Sequence, residues 1–201
     1  MPRKAHLAES RKRALVGAAL QEIAGSGSLE VTVSQIAARA GVSSALAHHY
    51  FGSKEDLILA TMRHLLAEFG AAVIARLRAA PTPRARLAAI VEGSFGREQF
   101  HHATISAWLT FYAKALSSTG AERLLLIYQM RLHSNLVHAL RSLVPGPEAE
   151  RIAEATGALI DGVYLREALR GTPTAPSEAI SMVEAFLDLE IAAAGPPRPP
   201  T

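Results

Sequence analysis

The sequence predicts an all-α fold, a three-helix head followed by a larger helical body, with about nine helices in total. Three observations carry that expectation. Ala, Leu, Arg and Glu dominate the 201 residues, and runs of β-branched residues are scarce. Breaking residues fall at Gly25-Ser26-Gly27-Ser28, Gly41, Gly52-Ser53, Pro81-Thr82-Pro83, Gly120, Pro145-Gly146-Pro147 and Gly171 to Pro176. From about residue 8 to 51 the breaks leave three helical segments, two of them very short, and after residue 54 the segments run long. The expected division is therefore a head at 1–52, a body at 53–194 and a disordered Gly/Pro-rich tail at 195–201.

The head opens with a helix from about residue 8, preceded by basic residues Arg3 and Lys4 and carrying Arg11, Lys12 and Arg13. Thr32 caps the next helix, and Gln35 three residues later completes a capping box. Val33, Ile36, Ala37 and Ala40 then share one face. Gly41 supplies a left-handed turn, Val42 plugs the corner, and Ser43 caps a third helix. Two short helices joined by a glycine turn make a helix-turn-helix. The third helix has an unusual surface. Ser44, Ala45, His48, His49 and Tyr50 are small or hydrogen-bonding, and only Leu46, Ala47 and Phe51 read as packing residues. A helix that reads DNA needs this division, with an anchored inner side and an outer side of donors and acceptors for base edges and phosphates. An ordinary helical hairpin with an exposed polar face fits the same spacing. Ser53 caps the following helix with Asp56 as its reciprocal partner, and Lys54 stands in its first turn, within reach of a phosphate.

Residues 54–79 read as one long helix. Further on, Trp108, Phe111 and Tyr112 are spaced i, i+3, i+4 and share a face, in a chain with one tryptophan and 5% aromatic residues. In Ala158-Leu-Ile-Asp-Gly-Val-Tyr-Leu165, Asp161 interrupts an apolar run and Tyr164 follows within one turn. Aromatic faces with one carboxylate suit a quaternary ammonium, which ring faces hold by cation–π attraction with a counter-charge nearby. Plain core packing of Trp108 and Phe111, with Asp161 paired to Arg166 or capping a neighbour, is the competing account. In the last two long helices, Ala153, Gly157 and Ala158 permit close helix approach, and Ile180, Val183, Phe186, Leu187 and Ile191 recur at helical spacing. These stripes suit either a dimer interface or an intramolecular core.

Composition excludes several classes. Apolar residues at 49% and charged residues at 19% are those of a chain with a packed core. There is no cysteine, so a disulfide framework, a cysteine zinc site and a cysteine nucleophile are all ruled out. The basic start is not followed by an apolar run of signal-peptide character, and no uninterrupted apolar stretch of roughly 18 residues occurs. A cytoplasmic location with no membrane partner is the expectation. Residues 1–60 hold seven Lys/Arg against five Asp/Glu, so charge alone does not announce a nucleic-acid partner. No Gly-rich phosphate loop or His-Glu-x-x-His helix is present, and His101-His102 and His133…His138 lack acidic partners at metal-site spacing. An enzyme, a metal site and a cofactor are not expected. A helical scaffold has no use for a polar reading helix flanked by caps.

The pattern Thr32…Ile36-Ala37…Ala40-Gly41-Val42-Ser43…His49-Tyr50-Phe51…Lys54-Glu55-Asp56-Leu57 resembles the TetR family of bacterial repressors. The resemblance implies that Ser44, Ala45 and His48 lie in the major groove near base edges, His48 standing where members often carry tyrosine. It implies that Thr32, Ser43, Tyr50 and Lys54 hold phosphates, with His49 beside them and the basic N-terminal arm adding backbone or minor-groove contacts. It also implies a homodimer formed through the last two helices on palindromic double-stranded DNA. Ala60-Thr61-Met62-Arg63, Ala107-Trp108-Leu109, Asn135-Leu136-Val137 and Ala158-Leu159-Ile160-Asp161-Gly162 with Leu165-Arg166 extend the resemblance to the choline-responsive members that control oxidation of choline to glycine betaine. Choline is then the implied effector, with Trp108, Phe111, Tyr112, Asp161 and Tyr164 as the cage. Betaine aldehyde, or another small cationic or apolar ligand of such a repressor, is the alternative.

Overall fold

The computed structural model describes residues 2–97, 99–170 and 174–197, with side chains from His6 onward. The side chains of Arg3 and Lys4, the break at 171–173 and the tail beyond 197 lie outside the described residues. Among the described residues there are nine α-helices and no strand: α1 Pro2–Ser26, α2 Val33–Arg39, α3 Ser44–Phe51, α4 Lys54–Arg78, α5 Pro83–Ser94, α6 His102–Ala115, α7 Thr119–Leu140, α8 Gly146–Ala168 and α9 Pro176–Ala194. The all-α expectation holds, and α2 and α3 are short at 7 and 8 residues, but the lengths do not run simply from short to long: α1 has 25 residues, as many as α4, while α5 and α6 have only 12 and 14. The first helix starts earlier than its sequence signal, at Pro2 rather than near residue 8.

Contacts group the chain into two compact units. One is Met1–Ala67 with His102–Leu124, and the other is Glu68–His101 with Leu125–Thr201. This grouping cuts within α4 and places α6 with the head, where the sequence suggested a head at 1–52 and a body at 53–194.

In the first unit, α1 packs against α2, α3 and, most extensively, α6. Its core is built on Leu15, Ala19 and Ile23 of α1, Ile36 and Ala37 of α2, Ala47 of α3, Leu57, Met62 and Leu65 of α4, and Ile105 and Phe111 of α6. Removing this apolar area from water is what holds the short helices, which are too brief to persist alone. Gly27, at φ 61, ends α1 with its N–H on the Ile23 carbonyl at 2.9 Å.

In the second unit, α9 packs on α8 and α5. Phe69 and Val73, Leu87, Ile90 and Val91, Leu136 and Leu140, and Ile152 and Ile160 are buried there, with Val183 and Leu187 of α9. A Cβ on Gly93 would stand 2.8 Å from Val73 Cγ2 and 3.1 Å from its Cα, so glycine lets α5 cross α4 at close range. Among the described helices α4 has the length and apolar composition to cross a membrane. Its Leu57, Ile58, Met62 and Leu65 are buried in the first unit, and Phe69 and Val73 in the second.

Candidate DNA-reading and ligand-binding residues

The turn between α2 and α3 is fixed by local bonds. The Thr32 side chain accepts from the Gln35 N–H at 3.2 Å, and Gln35 Oε1 accepts from the Thr32 N–H at 2.7 Å, which is the reciprocal capping box. At the other end Gly41 takes φ 68. Its N–H donates to the Ala38 carbonyl at 3.1 Å, and the Val42 N–H reaches back to Ala37 at 3.0 Å. That pair of bonds is a Schellman closure, which needs a left-handed residue at the glycine. Ser43 accepts from the Leu46 N–H at 3.2 Å and starts α3. Ser53 accepts from the Asp56 N–H at 3.0 Å and donates to Asp56 Oδ2 at 2.6 Å, starting α4.

The expected faces are largely present. In α2, Ile36 and Ala37 are buried, with Val33 and Ala40 half-buried. In α3 only Ala47 is fully buried, Leu46 and Phe51 are half-buried, and Ala45, His48 and His49 are exposed. Thr32 and Ser43 are exposed, while Ser44, Tyr50 and Lys54 are half-buried. Ser44 Oγ donates to Ser34 Oγ at 3.2 Å. His48 Nδ1 lies 3.2 Å from the Gly52 carbonyl, and the His49 and Tyr50 rings are tilted at 5.6 Å. Lys12 Nζ sits 6.0 Å from the Tyr50 ring centroid, so the basic stretch of α1 meets α3. Arg39 of α2 bonds Glu22 of α1, tying the two helices.

α6 is bolted to the start of α4. Lys114 Nζ is 2.9 Å from Glu55 Oε2, and Ser118 Oγ donates to Glu55 Oε1 at 2.7 Å. The Lys114 bond, with the Ser118 bond second, holds the Glu55 carboxyl below its ordinary value. Sequence reading did not find this clamp, because its residues are about 60 positions apart.

The expected ligand residues fall in two groups. Trp108 and Tyr112, in the first unit, have tilted rings at 5.9 Å; Trp108 is buried and Tyr112 half-buried. Phe111 is fully buried and belongs to the core. Asp161 and Tyr164 lie in the second unit, where Tyr164 is buried in an aromatic cluster that sequence reading missed. Its ring stacks on Phe95 at 5.7 Å and meets Phe100 edge-on at 5.6 Å, and its hydroxyl donates to the Ser94 carbonyl. Burial, with the negative charge of Asp161 second, pushes the Tyr164 phenol well up, and the same two causes raise Tyr128. Gln99, beside Phe100, is buried with its amide oxygen unpartnered among the described residues. Asp161 also lines a groove of about 490 Å³ with Met130, Glu154, Gly157 and Ala158.

The paired stripes divide. Val183 and Leu187 are buried inside the chain, as is Ala153, while Ile180, Phe186, Ile191 and Gly157 are half-buried and Ala158 exposed. Leu165 of α8, Leu169 at its C-cap, and Met182 and Leu189 of α9 are exposed.

Comparison with known proteins places this geometry. Residues 15–61 match the model of bacterial regulatory proteins of the tetR family, and residues 83–192 match the C-terminal model of BetI-type transcriptional repressors. The HTH-type transcriptional regulator BetI of Brucella canis is 52% identical over 181 residues, 90% of this chain and 91% of that protein. The regulator of the same name from Rhizobium meliloti is 47% identical over 185 residues, 92% of this chain and 91% of its own. A transcriptional regulator from Pseudomonas aeruginosa PAO1 superposes with a TM-score of 0.80 at 27% identity, covering 92% of each chain. One from Saccharomonospora viridis, solved in complex with choline, gives 0.79 over 90% of this chain and 96% of its own, and at 21% identity that likeness is one of fold. The chain belongs to the TetR family of bacterial transcriptional regulators and, through its C-terminal half, to the BetI-type repressors within it.

Proposed function

We propose that the protein represses genes for the conversion of choline to glycine betaine, binding a palindromic operator in the cytoplasm as a homodimer, and that choline or a close quaternary ammonium lowers its grip on DNA. The observation that carries the ligand reading is the setting of Asp161. Its negative charge is felt by both Tyr128 and Tyr164, and Tyr164 is surrounded by Phe95 and Phe100. A negative field among aromatic rings is what a methylated ammonium selects, since it has no N–H to donate. The choline complex of the Saccharomonospora regulator supports the same ligand class.

The proposed ligand residues are Trp108, Phe111, Tyr112, Asp161 and Tyr164, with different weights. Trp108 and Tyr112 offer ring surface, Phe111 backs them from the core, and Asp161 supplies charge. The hydroxyl of Tyr164 is committed to the Ser94 carbonyl, so what it offers a ligand is its ring. No cofactor enters this scheme.

For DNA, the proposed roles are Ser44, Ala45 and His48 toward base edges, and Thr32, Ser43, His49, Tyr50 and Lys54 toward the backbone. Two heads spaced by about 34 Å would meet successive major grooves. The exposed apolar residues Leu165, Leu169, Met182 and Leu189 support an interface through α8 and α9. Ligand release of DNA requires different affinities in the two states, and a coupling of about 1–3 kcal/mol corresponds to roughly 5- to 150-fold in operator affinity. Calorimetric titration with choline, betaine aldehyde and glycine betaine tests this reading. Heat from choline that disappears in Trp108→Ala and Asp161→Asn, with operator binding kept by both variants, is the expected result. No heat from any of the three overturns the ligand assignment.

A further inference from the structure

On the outward side of α3 the protein sets the tautomer of His48. Gly52, at φ 76 and ψ −66, ends the helix, and its carbonyl oxygen lies 3.2 Å from His48 Nδ1. A carbonyl can only accept, so the imidazole hydrogen sits on Nδ1. The neutral ring therefore carries its lone pair at Nε2, and no described residue bonds to that atom. His48 is exposed on the helix that carries the DNA-reading residues. A tyrosine hydroxyl at this position could donate or accept. The neutral imidazole, anchored through Nδ1, offers Nε2 only as an acceptor.

The major groove discriminates against such a group at half of the bases. Adenine offers the N6 amino group and cytosine the N4 amino group, both donors, whereas guanine presents N7 and O6 and thymine O4, all acceptors. We propose that His48 is a specificity-determining residue that selects, at one position in each half-site, a base carrying an exocyclic amino group, through the Nε2 lone pair left by the Gly52 bond. The inference rests on the DNA-reading role of α3 given above. It adds the hydrogen-bonding sense of that contact, which neither the fold nor the likeness to relatives provides.

The test uses the full-length protein and a duplex selected from a randomised palindromic library. Each adenine or cytosine of a half-site is replaced in turn by its amino-free counterpart, purine or pyrimidin-2-one. Wild type should lose about 2- to 12-fold in affinity at one symmetric position, the range of a single net hydrogen bond. His48→Ala should show no such loss at that position, which separates the contact from the weakened base pair. His48→Arg, a donor only, should move the selected base there toward guanine. Nitrogen-15 shifts of the His48 ring should report hydrogen on Nδ1. An equal loss in wild type and His48→Ala at every position overturns the assignment, as does a ring with hydrogen on Nε2. If no duplex is retained by wild type, the DNA-reading role falls with it. Retention with an unchanged profile removes His48 alone.

Discussion

Gly41→Ala should cost the protein about 1–2 kcal/mol of folding stability, and the structure isolates the reason. Gly41 sits at φ 68, in the region where a side chain crowds the following carbonyl, and an L-residue there costs about 1–2 kcal/mol. A Cβ built at that position meets nothing within 4 Å, so the penalty is torsional and not a clash. The chain can avoid it only by giving up the Ala38 and Ala37 carbonyl bonds that close α2 and aim α3. For a chain of this size the loss corresponds to a fall in Tm of roughly 2–8 °C at fixed protein concentration. Gly41→Asn should lose less, since asparagine enters the left-handed region more readily. Urea unfolding of the three proteins, run beside operator titrations, makes the measurement. Equal stability of glycine and alanine, or equal losses for alanine and asparagine, would refute the torsional argument. Loss of operator affinity beyond the change in folded fraction would show that the turn also sets the angle of the reading helix.

Three further outcomes follow from contacts elsewhere. Glu55 is held below its ordinary value by Lys114 and Ser118, so its folded form favours ionisation. Its contribution is present above the unfolded carboxyl value and is lost as pH falls through the folded one. Glu55→Gln should therefore be less stable than wild type at pH 7 by under about 1 kcal/mol, given partial exposure, and the gap should close in acid. A gap unchanged between about pH 7 and pH 3 refutes the ionic account. Tyr164→Phe keeps the ring stack on Phe95 but leaves the Ser94 carbonyl without its donor, which should cost about 1–3 kcal/mol in denaturant unfolding while choline affinity is retained. Loss of choline binding with stability intact would show that the hydroxyl, not the ring, serves the ligand. Gly93→Ala drives a methyl to 2.8 Å from Val73, and the overpacking cost of about 1–3 kcal/mol should exceed the roughly 1 kcal/mol gained in helix propensity. Gly70→Ala, with open space around the added carbon, should be stabilising, and a destabilised Gly70→Ala together with a stable Gly93→Ala would reverse the argument.

The sequence made the head readable because its determinants are local. Thr32 with Gln35, Ser43, and Ser53 with Asp56 are i, i+3 pairs or single caps, and Gly41 is a torsion requirement at one residue. The body was less legible because its determinants are distant. Nothing near Tyr164 in the chain points to Phe95, Phe100 or the Ser94 carbonyl, which lie some 70 residues earlier. The Glu55 to Lys114 clamp is similarly remote, as is the packing of α6 on α1. Periodicity located the apolar stripe of α9 correctly. It could not say that Val183 and Leu187 face inward while Met182 and Leu189 face out, because a wide stripe serves two neighbours at once.

The chain's single tryptophan has a spectroscopic consequence. Trp108 is buried, at 3% exposure, in the same compact unit as the reading helix, whereas the buried phenols Tyr128 and Tyr164 belong to the other. Indole emission, excited at the red edge where phenols do not absorb, therefore reports the unit that holds α3 with no added label. Transitions followed by indole emission, which reports the first unit, and by far-ultraviolet dichroism, which reports the helices of both, will coincide if the two units melt together and separate if they do not. The native chain thus carries its own optical means of asking whether an effector loosens the reading unit before the rest of the molecule responds.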